Sequence, residues 1–260
     1  MFEASPQAPN YAEFRLPGLP QVEAFWSVEA TARPYRVLPD TCIDFIFDLD
    51  RAQARLVGTM TSDIVVTLPA GARLFGVRFA PGGVVPFIAA RASELTDADA
   101  PLTDVTRAAR EHLIERVVEA RDHAQRARIV ANFIREPGAR VQPADLRVRA
   151  AMALLRERAG RVAIDDVAEH LGVSPRQLER VFREHVGVSP KFAARVIRMQ
   201  TALGLLEAAP RYRGSHALAA GYADEPHLVR EFRALTSLSP RQLVQERRVG
   251  FVQSSLPDAV

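Results

Sequence analysis

From residue 25 to residue 79 the hydrophobic positions fall in short runs with a period of two. The runs Phe25–Val28, Tyr35–Leu38, Cys42–Phe47, Arg55–Val57, Ile64–Leu68 and Leu74–Phe79 predict six strands. Pro39-Asp40, Asp48-Leu49-Asp50 and Pro69-Ala70-Gly71 bound them and predict turns. In the third run Ile43, Phe45 and Phe47 alternate with Asp44, Ile46 and Asp48, so one face is firmly apolar. Short strands at this spacing predict a small barrel or sandwich, a fold that can hold a ligand in its mouth. Ahead of them Pro6, Pro9, Pro17 and Pro20 punctuate a polar stretch that predicts little regular structure.

After Pro81-Gly82-Gly83 the period lengthens and the chain reads as helical. Val84–Ala90 predicts a short helix. Asp104–Arg121, with Val105, Ala109, Leu113 and Val117 at steps of four, predicts a longer one, and His123–Arg135 a third. Pro137-Gly138 breaks the pattern, and residues 137–143 are the expected joint between two domains. The chain thus reads as multidomain α+β, with a β-rich domain and trailing helices over 1–140 and an all-α domain over 143–249. Residues 250–260 read as a frayed tail.

The all-α half is organised around a unit written twice. A shift of fifty positions carries Leu178 onto Leu228, Arg180 onto Arg230, Phe182 onto Phe232, Arg183 onto Arg233, Ser189 onto Ser239 and Pro190 onto Pro240. SPRQL also recurs, at 174–178 and 239–243, but that alignment brings nothing else into register and reads as coincidence. In the first copy Ile164, Val167, Ala168 and Leu171 predict a short amphipathic helix, with Asp165 and Asp166 in its first turn, where the helix dipole favours negative charge. Gly172 stops it, and Ser174-Pro175 starts the next helix as N-cap and first residue. Two helices across so short a glycine turn form the helix-turn-helix pattern. On the second helix Leu178, Val181, Phe182 and His185 share one face, and Arg176, Glu179, Arg180 and Arg183 the other. The second copy repeats this, with Leu228, Phe232 and Leu235 inward, Arg230 and Arg233 outward and His227 on the flank. One such helix could be an ordinary solvated face; two with arginines at matching offsets favour a reading surface. Between the copies Ser189–Ala208 predicts a helix of about 30 Å, close to the ~34 Å turn of B-DNA.

These residues resemble the DNA-binding domain of the AraC/XylS family of bacterial transcription regulators. The resemblance covers residues 145–248 and rests on A-x-x-x-G at 168–172, S-P-x-x-L-x-R-x-F at 174–182, G-V-S-P at 187–190, A-x-x-x-G-Y at 217–222 and H-L-x-R-x-F at 227–232. It implies a double helix-turn-helix whose two recognition helices enter adjacent major grooves. It places base reading on Arg176, Glu179 and Arg180, then on Glu225, Pro226, His227 and Arg230; Pro226 departs from the polar residue usual there. Gln177, on the same helix, is expected among the DNA-contacting residues. Arg183, Arg233, Ser189 and Lys191 are expected nearer phosphates, fixing register. Val37–Phe47 (VLPDTCIDFIF) and Gly76–Gly83 (GVRFAPGG), with Ser93–Leu95 and Pro101-Leu102, resemble a sensor-type domain often joined to this module. The implied partners are double-stranded DNA, a small-molecule effector, a second copy of the chain and RNA polymerase, in the cytoplasm. The rival reading is a small-molecule binding or enzymatic protein whose helical half only makes protein contacts.

Charge and chemistry change this picture little. Residues 1–142 hold 16 basic and 18 acidic residues and residues 143–260 hold 18 and 13, so the helical half is the basic one, as phosphate contacts require. Cys42 stands alone, which leaves no internal disulfide and no cysteine metal cluster, and the six histidines lack ligand spacing. Asp40, Asp44, Asp48 and Asp50 do not match a calcium loop and read as strand-edge and turn carboxylates. Trp26 and Tyr35 read as core aromatics more readily than as a pocket lining. No nucleophile arrangement, phosphate loop, cofactor motif, signal peptide or apolar run long enough to span a membrane is present, so neither an enzyme nor a membrane protein is expected.

Overall fold

The computed structural model describes residues 10–105, 111–136, 145–209, 215–249 and 252–253. All six predicted strands form: β2 (Val22–Glu29), β3 (Tyr35–Val37), β4 (Ile43–Asp48), β5 (Gln53–Val57), β6 (Ile64–Val66) and β7 (Arg73–Phe79). Two more join the main sheet at its edges. β1 (Asn10–Phe14) lies in the stretch expected to be irregular, and β8 (Asp99–Pro101) carries a proline that only an edge tolerates. The order is β1-β2-β7-β4-β5-β8, all antiparallel and not closed into a barrel; a small sheet β6-β3-β9, with β9 at Val252–Gln253, lies across its other face. The result is sandwich-like. β9 also corrects the expectation of a frayed tail, since Val252 and Gln253 pair in parallel with Arg36 and Val37.

The alternation read in β4 decides the packing. Phe45 and Phe47 join Phe25, Phe75, Val77 and Phe79 in one buried layer, closed by Leu113 and Val117 of α2 (Glu111–Glu119) and by Val130 and Ile134 of α3 (His123–Arg135). The helix expected over Val84–Ala90 is only a 3-10 turn, Val85–Phe87. Val84, Val85, Pro86, Phe87 and Ile88 are all buried, and five successive residues of a regular helix point all round its axis, so one face would have turned outward. Of the helix expected over Asp104–Arg121, the structure shows a short α1 (Leu102–Val105) and then α2; residues 106–110, and the expected joint at 137–143, lie outside the described residues.

The helical half comprises α4 (Leu146–Glu157), α5 (Ile164–His170), α6 (Pro175–His185), α7 (Pro190–Ala208), α8 (Ser215–Ala219), α9 (Glu225–Thr236) and α10 (Pro240–Val249). Its two cores share α7. Ala193, Ala194 and Ile197 pack with Leu178, Val181 and Phe182, whereas Val196, Met199, Leu203 and Leu206 pack with Leu228, Phe232 and Leu235. A helix buried on two sides shows a diffuse hydrophobic stripe, as α7 does in sequence. Gly204 serves neither core: it is exposed, and a β-carbon there would meet nothing within 4 Å. Gly204→Ala is therefore expected to stabilise the protein by about 1 kcal/mol, seen calorimetrically as a rise of about 2–4 °C in Tm. An unchanged or lower Tm would show that the glycine has a packing role.

Candidate nucleic-acid interface

Helix α6 starts where the sequence places it. The Ser174 hydroxyl accepts from Gln177 N at 3.2 Å, and Gln177 Oε1 accepts from Ser174 N at 2.9 Å, a reciprocal capping box with Pro175 as first helical residue. The SPRQ recurrence is thus not coincidence in its local chemistry. At the start of α10, Ser239 N donates to Gln242 Oε1 at 3.0 Å and Gln242 N to the Ser239 hydroxyl at 3.4 Å. Both copies of the pentapeptide begin helices, although they do not mark the repeat. Asp224 caps α9 by accepting from His227 N at 2.6 Å.

On these starts the two faces separate as expected. Leu178, Val181, Phe182, Leu228, Phe232 and Leu235 are at most 2% exposed. Arg176, Arg180, Arg183, Lys191, Glu225, Pro226, Arg230 and Arg233 are exposed. Arg180 pairs with Glu184 and Arg183 with Glu179, both at 3.2 Å and both one helical turn apart. Such exposed pairs hold their arginines weakly, so phosphates or base edges can displace them. Among the described residues Arg176, Arg230 and Arg233 form no ion pair.

Three expected site residues are committed elsewhere. Gln177, which is exposed, uses its carbonyl oxygen in the capping box and leaves its amide NH2 outward. Ser189 caps α7, accepting from Phe192 N at 3.0 Å. His227 is half-buried, its ring edge-on to Tyr222 at 5.3 Å. His185, expected on the inner face, is half-buried there, and burial holds its imidazole below the usual range.

The β-rich half holds a second candidate site. Between the two sheets lies a cavity of about 580 Å³ whose walls include Trp26, Tyr35, Asp40, Cys42, Asp44 and Arg78. Tyr35 and Trp26 both line this pocket, and Trp26, 5% exposed, is at the same time packed with Val28, Ile46 and Leu74 as a core aromatic. Trp26 lies flat over Gly76, where a β-carbon would come within 1.9 Å of the indole. Asp48 and Asp50 are turn carboxylates as expected: Asp48 accepts from the amides of Asp50 and Arg51, and Asp50 from Arg73. Asp40 and Asp44 instead flank Arg78, at 3.2 and 3.4 Å from its Nε, with Glu13 3.7 Å from Nη1. Arg78 is 1% exposed. Strand alternation correctly puts it on the face away from the phenylalanines; no local signal tells that a second sheet covers that face. Burial pushes the Asp44 carboxyl up and the Cys42 thiol well up. Among the described residues no group of His, Cys, Asp and Glu is arranged to hold a metal, and no helix is long and apolar enough to cross a membrane.

Residues 19–101 match the family described as Domain of unknown function (DUF6597), and residues 167–246 match that described as Helix-turn-helix domain. No curated protein matches the chain. Among solved structures it is similar to a transcriptional regulator with an AraC-type DNA-binding domain from Chromobacterium violaceum, at 28% identity over 39% of this chain and 92% of that one, with a TM-score of 0.37. It is also similar to the C-terminal domain of AraT, a response regulator from Geobacillus stearothermophilus, at 25% identity over 44% and 94%, with a TM-score of 0.37. ToxT from Vibrio cholerae is similar over 92% of this chain and 98% of its own, at 10% identity and a TM-score of 0.44. The chain thus carries a helix-turn-helix domain over residues 167–246, preceded over residues 19–101 by a domain that matches a family of unknown function.

Proposed function

We propose that this chain is a sequence-specific transcription regulator that reads two adjacent major-groove segments, with α6 in one and α9 in the other. The observation that carries the reading is the matched pair of helices, each with its leucine and phenylalanine buried and its arginines exposed at the same offsets. Arg176, Arg180 and Arg230 read base edges, most favourably guanine O6 and N7, beside Glu179, Glu225 and His227. Arg183, Arg233, Lys191 and the N-terminus of α7 at Ser189 meet phosphates and set the register. The cavity between the sheets is the place for a small effector that modulates this binding: it is recessed but open to solvent on one side, lined by the aromatic rings of Trp26 and Tyr35 and supplied with charged groups.

Footprinting on DNA selected from a random pool tests the reading; two protected patches about one helical turn apart are expected. Arg180→Ala should weaken binding to the selected site by about 1–3 kcal/mol and relax preference at one base, and Arg230→Ala should do the same in the other patch. A single patch, or gel-shift titrations unchanged by both substitutions, would rule the assignment out.

A further inference from the structure

The loop Gly58–Asp63, between β5 and β6, touches both helix-turn-helix units, and it does so at matching places. The Thr59 hydroxyl donates to the Val186 carbonyl at 2.6 Å, at the end of α6. Asp63 N donates to the Leu235 carbonyl at 3.0 Å, and the Ser237 hydroxyl donates to Asp63 Oδ1 at 2.7 Å, at the end of α9. The fifty-residue shift carries Gly187 onto Ser237, and both have left-handed backbone, with φ of 92° and 57°. These are the points where each recognition helix stops.

The contacts are built rather than incidental. Thr59 is fully buried, and the Asp63 side chain is 3% exposed. The loop is itself held from behind: Asp97 accepts from Thr61 N and Thr61 Oγ1, each at 2.6 Å, and Asp97 N donates to the Thr59 carbonyl at 3.0 Å. Each grip has a second strand. Thr96 Oγ1 donates to the Gly187 carbonyl at 2.9 Å, with Ala92 so close that a β-carbon on Gly187 would lie 2.9 Å from its carbonyl oxygen. Arg36 pairs with Asp63 and, at 2.9 Å, with Glu246 of α10. The opposite edge of the loop, at Gly58, Met60 and Ser62, lines the cavity.

We infer that Thr59 and Asp63 are positioning residues for DNA reading: they tie the ends of α6 and α9 to one loop and so fix the spacing between half-sites that the protein accepts. Helix α7 sets the axial separation of the two units and meets α6 through apolar side chains, which leaves the first unit free to roll about it, while ion pairs of Arg195 with Glu231, at 2.9 Å, and of Glu207 with Arg247 add a polar hold on the second. A second tie, at the far end of both recognition helices, removes that freedom before DNA arrives. Binding of the second unit then costs less ordering once the first is engaged. Neither residue needs to touch DNA. The inference rests on the two-segment reading above and names what regulates it; an effector in the cavity would lean on the same loop.

The test uses the full chain carrying Thr59→Val and Ser237→Ala together, which remove one tie to each unit without burying an unpaired charge. Gel-shift titrations compare the selected two-segment DNA, the same DNA with about five base pairs (half a turn) inserted between the segments, and each segment alone. The variant is expected to lose about tenfold on the two-segment DNA and nothing on single segments, so its preference for the uninterrupted site shrinks by the same factor. Single-segment affinity also reports that each unit is folded. Equal losses on all four DNAs, or two-segment binding unchanged or tightened, overturn the inference while leaving the reading of function intact. A wild-type chain that selects no two-segment DNA overturns both.

Discussion

Arg78→Met is expected to cost about 3–5 kcal/mol, because it removes the buried cation around which three carboxylates gather and leaves them without a partner charge. Arg78 sits on the covered face of β7 at 1% exposure, with Asp40, Asp44 and Glu13 all within 4 Å of its guanidinium. Methionine fills the volume but supplies neither charge nor donors. In Tm the loss amounts to roughly 10 °C. The deficit also depends on pH, in a direction that identifies its cause. With Arg78 present, burial already pushes the Asp44 carboxyl up, against the downward pull of the guanidinium; without it the folded-state value rises further. A carboxyl whose folded value lies above its unfolded one takes up a proton on folding, so stability falls as pH rises from the unfolded value through the folded one. The gap between variant and wild type should therefore open as pH rises above the wild-type folded value of about 7 and close below it. Thermal melts at pH 7.5 and 5.5 check this. A gap that stays constant or widens in acid would show that the loss comes from packing and not from stranded charge.

Arg78 also shows where sequence reading stops. The strands around it were legible because half-buried strands alternate, and Ile43, Phe45 and Phe47 against Asp44, Ile46 and Asp48 could hardly say otherwise. The same alternation makes Arg78 look like a residue facing water. What closes around it are Glu13 of β1, Asp40 and Asp44, and across the cavity the sheet of β3 and β6, whose third strand β9 lies more than 200 positions along the chain from the β3 it pairs with. No local period carries such a contact. β1 escaped notice because prolines surround it and because an edge strand needs a partner on one side only. The helix-turn-helix units were legible for the opposite reason: caps, glycine stops and apolar offsets all lie within one turn of the residues they govern. Gln177 shows the limit there too, since a polar residue on the outward face of a helix's first turn can serve the cap as readily as a base. Thr59, Asp63 and Thr96 gave no signal, because they are polar residues in loops whose main partners are distant carbonyls and a hydroxyl.

The repeat makes a second large effect specific to each copy. Phe182→Ala and Phe232→Ala are each expected to cost about 3–5 kcal/mol, the range for truncating a fully buried phenylalanine. Both side chains are 0% exposed and occupy matched positions, yet they sit in separate cores: Phe182 with Val148, Leu155, Val167 and Ile197, and Phe232 with Met199, Leu203, Tyr222 and Leu243. The two apolar cores adjoin along α7, with half-buried Phe192 packed against both, and outside them Arg161 of the first unit reaches the Ala219 carbonyl of the second at 3.4 Å. A cavity in one core therefore loosens its own recognition helix first. At temperatures where wild type binds fully, Phe182→Ala should lose the protected patch read by α6 and keep the one read by α9. Phe232→Ala should do the reverse, so that swapping the substituted copy swaps the surviving patch. Loss of both patches together from either variant would mean that the two units fold and read as one block, with α7 transmitting damage along its length. Footprints over a temperature series separate the outcomes, because a local opening weakens one patch at temperatures where the other is still complete.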